Sequence, residues 1–178
     1  MLSFLDNIGN MSAITQHKWI IRTGFQPGDI GDITRLHGMV YAREYGFGPE
    51  FEAYVAAGIA EFVETFNPDR SKIWLAEKEE RVVGCIAVFG RSDSIAQLRW
   101  FITHSDFRGI GLGRQLLSRA LQFCNGYGYK TIYLWTIDNL EAAIHLYQSF
   151  GFTKTGNTIQ HNWTKMVVQQ KYELRKAI

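Results

Sequence analysis

The sequence predicts one α/β domain with the element order β-α-α-β-β-β-α-β-α-β-β, an expectation that rests on three observations. The chain has 178 residues, 46% of them hydrophobic, enough to bury one sizeable core. Its apolar residues change along the chain between strand-like alternation and helical spacing. Glycine, proline and Asn-Pro or Asn-Gly pairs punctuate those changes. There are no repeats and no low-complexity segments.

Residues 1–18 show no clear periodicity and are expected to form a loose leader to a domain spanning 19–178. Trp19 to Phe25 reads as a short strand ending in the turn signal Gln26-Pro27-Gly28. Asp29 then suits an N-cap, with Ile30, Ile33, Leu36, Val40 and Tyr41 following at helical spacing. Gly46-Phe47-Gly48 breaks that helix and Pro49 opens the next. There Phe51, Val55, Gly58, Ile59, Phe62, Val63 and Phe66 trace one face before Asn67-Pro68. Lys72 to Lys78 and Arg81 to Phe89 are rich in Val, Ile and aromatics, and Glu79-Glu80 between them suggests a hairpin. Ser94 to Thr103 is a third run of this kind.

Leu112, Leu116, Leu117, Ala120, Leu121 and Cys124 share a helical face closed by Asn125-Gly126. Thr131 to Thr136 follows as a strand. Asp138 and Glu141 resemble a capping pair for a helix carrying Ala143, Ile144, Leu146, Tyr147 and Phe150, with Gly151 at its end. Strands near Phe152 to Gly156 and Trp163 to Glu173 complete the order.

The formal net charge of +2 is too balanced to indicate a nucleic-acid binder, and no apolar run is long enough to span a membrane. Cys85 and Cys124 sit in apolar elements, which suits buried thiols in a reducing compartment; a single disulfide also fits. The histidines form no metal-ligand spacing with cysteines or acids, so no metal is expected. The N-terminus lacks a basic segment followed by an apolar one, and a soluble, cytoplasmic protein is expected.

The segment Phe107-Arg108-Gly109-Ile110-Gly111-Leu112-Gly113-Arg114 lies between a strand and a strongly amphipathic helix. Alternate glycines ahead of a helix present successive backbone N–H groups at the positive end of the helix dipole, a natural phosphate cradle. Arg108 and Arg114 add charge at its rim. A phosphorylated ligand is expected there.

That element order and loop resemble the GNAT acetyltransferase family over most of the chain. The family's pyrophosphate pattern R/Q-x-x-G-x-G/A is matched by Arg108, Gly111 and Gly113, with Gly109 as a frequent extra glycine. Its A-x-x-L-Y-x-x-x-G-F signature is matched by Ala143, Leu146, Tyr147, Gly151 and Phe152. The asparagine that the family often carries three residues before that alanine is replaced here by Leu140, leaving the adjacent Asn139 as a candidate substitute. More narrowly, Ala96-Gln97-Leu98-Arg99-Trp100-Phe101 and Leu134-Trp135-Thr136 look like the acetyltransferase half of MarR–GNAT fusion proteins. Too few residues precede Trp19 for a winged-helix reader, so no DNA partner is expected. The resemblance implies a mixed, mostly antiparallel central sheet flanked by helices.

It also implies chemistry. Acetyl transfer needs a held thioester, a neutral amine, a stabilised oxyanion and a proton for the leaving thiolate. By resemblance, the amides from Arg108 through Gly109, Ile110, Gly111, Leu112 and Gly113 to Arg114 hold the pyrophosphate of acetyl-CoA. Phe101, Ile102 and Thr103 pair with its pantetheine arm, Ala143 lies beside it, and Tyr147 is the general acid. Glu44 and Glu77 are the candidate bases, each alternatively a solvated carboxylate. Arg99 is a candidate clamp for a substrate carboxylate, alternatively an outward-facing strand arginine. Tyr41, Tyr45 and Trp100 either line the acceptor pocket or pack in the core.

The implied activity is acetyl-CoA-dependent N-acetylation of a small or amino-acid-like amine by direct attack. The alternatives are a non-catalytic acyl-CoA-binding module and an acetyltransferase of proteins or aminoacyl-tRNA. No membrane partner is expected, and similar proteins are frequently dimers.

Overall fold

The computed structural model describes residues 19–163 and 165–175. The leader expected at 1–18 lies outside the described residues. Seven strands form one sheet: β1 (Ile20–Thr23), β2 (Lys72–Lys78), β3 (Arg81–Gly90), β4 (Ile95–Thr103), β5 (Thr131–Ile137), β6 (Thr153–Asn162) and β7 (Lys165–Arg175). Their spatial order is β1-β2-β3-β4-β5-β7-β6. Every neighbouring pair is antiparallel except β4 and β5. The helices are α1 (Asp29–Tyr45), α2 (Pro49–Glu64), α3 (Leu112–Tyr127) and α4 (Glu141–Ser149). This is the mixed, mostly antiparallel sheet that the sequence implied.

Two cores sandwich the sheet. On one face α1 and α2 bury Ile33, Leu36, Val55, Ile59 and Phe62 against Ile73, Leu75, Cys85 and Ala87. On the other face α3 buries Leu112, Leu116, Leu117 and Ala120 against Trp74, Ala76, Ile86 and Val88, with Tyr147 of α4 in the same cluster. β3 is central, so eight consecutive residues, Val82 to Phe89, are buried and its sequence runs apolar without alternation.

β4 and β5 are hydrogen-bonded only from Ile95–Gln97 to Thr131–Tyr133, then part. β4 carries a bulge in the following stretch: Ala87 pairs with Arg99 but Cys85 pairs with Ile102. The extra residue falls at Trp100, whose φ is +49°, and its carbonyl accepts the Cys85 thiol at 3.0 Å. The bulge reverses which face the strand presents. Ala96 and Leu98 belong to the α3 core, whereas Trp100 and Ile102 belong to the α1–α2 core.

Some local expectations change. Gly28, at φ +99°, is the N-cap of α1, while the Asp29 carboxylate binds Arg22 at 2.6 Å and the Gln26 amide at 2.6 Å. Asn125-Gly126 does not end α3, which runs on to a left-handed Gly128. Leu140 rather than Asp138 precedes α4, with no side-chain cap, so the expected capping pair is absent. Glu79 and Glu80 do form the hairpin turn, at φ 50° and 61°. Cys85 and Cys124 are both buried, and no disulfide joins them.

Gly90 is required by close packing. A Cβ there would collide with the Tyr129 hydroxyl, which donates to the Arg70 carbonyl at 2.6 Å, and would lie 2.7 Å from that carbonyl oxygen. Gly90→Ala is therefore expected to lower stability by about 1–3 kcal/mol. A urea midpoint unchanged from wild type would refute this packing account.

Candidate active site

The parting of β4 and β5 opens the middle of the sheet, and two connected cavities occupy the opening. The larger, about 410 Å³, runs from the loop after β4 along α4. Phe101, Ile102 and Thr103 form one wall; Arg108, Gly109, Gly111, Gly113 and Arg114 form its end; Ala143 and Leu146 face them from α4. The smaller, about 150 Å³, lies between α2, the bulged part of β4 and β5. Tyr41, Phe101, Leu140 and Ala143 line both, so the two spaces meet at these residues.

The loop has the geometry of an anion cradle. A 3-10 turn, Ser105–Phe107, leads into it, and Gly109 and Gly111 take φ of +73° and +93°, conformations open to glycine. The Gln115 N–H makes a bond of α3 to the Gly111 carbonyl at 3.0 Å. The amides of Leu112, Gly113 and Arg114, in the first turn, therefore point out of the helix end. Ile110 is exposed and Leu112 buried, so both would serve the cradle through their backbones. Arg114 reaches across to Ser149 at 3.3 Å and lies over the Phe150 ring. Arg108 donates to the Thr103 carbonyl at 3.3 Å and to Glu44 at 2.8 Å.

Tyr147 lines the smaller cavity, 6% exposed, and packs against Phe101, Phe152 and Tyr172. Its hydroxyl makes no hydrogen bond to a described residue. Burial pushes its pKa well above the ordinary phenol value, so it stays protonated at neutral pH. Tyr41 is likewise pushed up by burial and stacks on Phe51 at 4.3 Å.

Arg99 also lines the smaller cavity. Ordinary alternation with Leu98 turns it toward α2, where its guanidinium lies over the Trp100 ring at 4.5 Å and against Gly58. It has no carboxylate partner among the described residues. Polar groups from Gln97, Thr136 and Gln169 share that space, and the buried Thr136 hydroxyl has no partner among the described residues.

The structure thus brings together Arg99, Tyr41, Tyr147, Ala143, the 101–103 strand and the glycine loop. Neither candidate base lines the smaller cavity. Glu77 is bound to Arg22 at 2.6 Å beside β1, and Glu44, paired with Arg108, lines a separate surface groove. Asn139 lines neither cavity. The sequence reading missed His37, Tyr54, Thr136, Trp163 and Gln169, all of which line the smaller cavity. Each lies inside a helix, strand or hairpin without a local motif, so no spacing marks it. Among the described residues no cluster of histidine, cysteine or acidic side chains could hold a metal ion. No described helix is long and apolar enough to cross a membrane.

Comparison with known proteins agrees with this geometry. Residues 39–152 match the model of the Acetyltransferase (GNAT) family. Human N-acetyltransferase 8B is 35% identical over 102 residues, which cover 54% of this chain and 45% of that protein. An uncharacterised N-acetyltransferase of Schizosaccharomyces pombe is 31% identical over 153 residues, covering 84% of this chain and 91% of the yeast protein. N-acetylaspartate synthetase of Danio rerio is 35% identical over 93 residues, covering 52% and 33%. The chain thus spans less than half the length of the human and fish relatives. A GNAT family acetyltransferase of Elizabethkingia anophelis, solved with acetyl-CoA bound, superposes with a TM-score of 0.60. That match covers 89% of this chain and 98% of the other at 16% identity, a likeness of fold.

Proposed function

The chain belongs to the acetyltransferase (GNAT) family, and from that premise we propose that it transfers the acetyl group of acetyl-CoA to a small amine that carries a carboxylate. One observation carries this reading. The groove with the amide cradle at its end opens directly into a cavity that holds a buried phenol and an arginine without an acidic partner among the described residues.

In this reading the 109–114 amides and Arg114 hold the pyrophosphate, while Arg108 exchanges its Glu44 contact for phosphate oxygens. The pantetheine arm lies along Phe101–Thr103, where the edge of β4 that has left β5 offers main-chain groups without a strand partner. The thioester then sits where the cavities meet, and the amine attacks its carbonyl carbon directly. Tyr147 protonates the leaving sulfur, a role suited to a phenol kept neutral by burial. Arg99 binds the acceptor carboxylate, and Tyr54, Phe51 and Trp163 form the apolar wall for its side chain. The name of the fish relative, an N-acetylaspartate synthetase, supports an acceptor of amino-acid type. A catalytically idle binder would have no use for this acid and clamp.

The decisive experiment is thiol release from acetyl-CoA with amino acids, each paired with its decarboxylated amine, and with peptides. Faster turnover of the carboxylated member is expected, and equal rates across all pairs would remove the role of Arg99. Combining Arg108→Ala with Gly111→Val should abolish thermal stabilisation by acetyl-CoA; stabilisation equal to wild type would show that the cofactor binds elsewhere. Tyr147→Phe should lower kcat by about 10²-fold with acetyl-CoA affinity retained. Wild-type turnover in that variant would exclude Tyr147 as the acid.

A further inference from the structure

The described wall of the acceptor cavity contains no carboxylate, although the transfer must remove a proton from nitrogen. Neither acid named by the sequence lines that wall: Glu44 faces the groove beside His104 and Phe107, and Glu77 is bound to Arg22 beside β1. The titratable side chains of the wall are Tyr41, Tyr54, Tyr147, Arg99 and His37. Neither phenols nor guanidinium groups are bases at neutral pH, which leaves the imidazole.

His37 is 4% exposed and held in one orientation. It stands one helical turn after Ile33, whose carbonyl lies 2.8 Å from its Nδ1. A carbonyl only accepts, so Nδ1 carries the hydrogen and the neutral ring keeps its lone pair at Nε2. The ring is stacked at 15° on Tyr41, which lies where the cavity meets the cofactor groove. Burial pushes its pKa down to about 4, so the ring is neutral at physiological pH. The cavity wall it shares carries Tyr41 on its own helix, Tyr54 from α2, Arg99 from β4 and Tyr147 from α4. Glu52 of α2 packs over the neighbouring Gly38.

Taking the acetyltransferase reading as its basis, we propose that Nε2 of His37 is the proton acceptor of the reaction and that the cavity admits its amine in the neutral form. A wall with a cationic arginine and no carboxylate disfavours an ammonium group. The neutral amine donates one N–H to Nε2, which aims its lone pair at the thioester carbon. As the C–N bond forms, the nitrogen becomes cationic and far more acidic than an ordinary ammonium, so a weak base suffices. Its proton passes to Nε2. The C–S bond breaks with its electron pair going to sulfur, which takes the Tyr147 proton. The proton on His37 then restores the Tyr147 phenol, so amine and acetyl-CoA yield amide and free thiol with no net proton change.

Two variants separate this role from packing. His37→Asn keeps a donor near the Nδ1 position for the Ile33 carbonyl and removes Nε2; His37→Gln restores a polar acceptor near Nε2 that does not take a proton. With full-length protein and the acceptor best used by wild type, His37→Asn should lower kcat by about 10²-fold. Its thermal stabilisation by acetyl-CoA should match wild type. His37→Gln should recover the acceptor KM but not kcat. Independently, nitrogen NMR of the wild type should show His37 as the neutral Nδ1–H form at neutral pH, with its Nε2 signal moving when the amine and free coenzyme A are added together. Wild-type kcat in His37→Asn, or a protonated Nε2 at neutral pH, would overturn the assignment. If His37→Asn does not fold, the wild-type nitrogen spectrum decides. A wild type that releases no thiol with any amine overturns the acetyltransferase reading and this inference together; a wild type that turns over beside unaffected variants overturns the base alone.

Discussion

The site depends on one failure of hydrogen bonding, the separation of β4 from β5 after three paired residues on each strand. Two parallel strands need a crossover, and here it is the glycine loop plus α3, which begins at the C-terminal end of β4. The loop therefore emerges beside the wedge that the parting strands create. The free edge of β4, the amide cradle and the α4 face that closes the wedge come together for that single topological reason. The rest of the sheet, paired on both sides of the opening, keeps the two strands apart.

The bulge at Trp100 sets what the wedge contains. An unbroken β4 would point Trp100 toward the same face as Ala96 and Leu98. The inserted residue instead sends Trp100 toward α1 and α2, the face that Arg99 already takes, with the ring of Trp100 packed on Phe62 at 5.2 Å. A tryptophan at φ +49° is an unfavourable backbone state for an L residue, and it persists here because packing and the Cys85 thiol hold it. Trp100 thereby stacks under Arg99 in the smaller cavity beside Gly58, where any larger side chain would meet the guanidinium.

Polar groups short of partners lie in the same place. Among the described residues the buried Thr136 hydroxyl has no partner and Arg99 no acid, while the His37 ring is tied at Nδ1 to the Ile33 carbonyl. A buried polar group left unmade costs about 1–3 kcal/mol, so such groups gather where a ligand can complete them. The cofactor end differs: Arg108 is paired with Glu44 and Arg114 with Ser149, contacts exposed enough to exchange for phosphate oxygens.

Alternation in β4, helical spacing in α1 to α4 and the turn residues were readable from the chain because each depends on neighbours within a few residues. The cradle from Arg108 to Arg114 and the Ala143-to-Tyr147 segment were readable for the same reason: their geometry is local. Helix ends were less so, since Gly128 rather than Asn125-Gly126 stops α3 once packing extends it. The acceptor side lay beyond the sequence. Glu44 and Glu77 were reasonable bases by chain position, but neither lines the smaller cavity, and His37 was only a polar residue within an amphipathic helix. The sequence by itself determined the fold and the anion cradle, because short-range periodicity and backbone freedom specify both. The tertiary structure alone decided which side chains face the smaller cavity, because it is built from α1, α2, α4, β4, β5 and the β6–β7 hairpin, elements distant in the chain that meet only where two strands fail to pair.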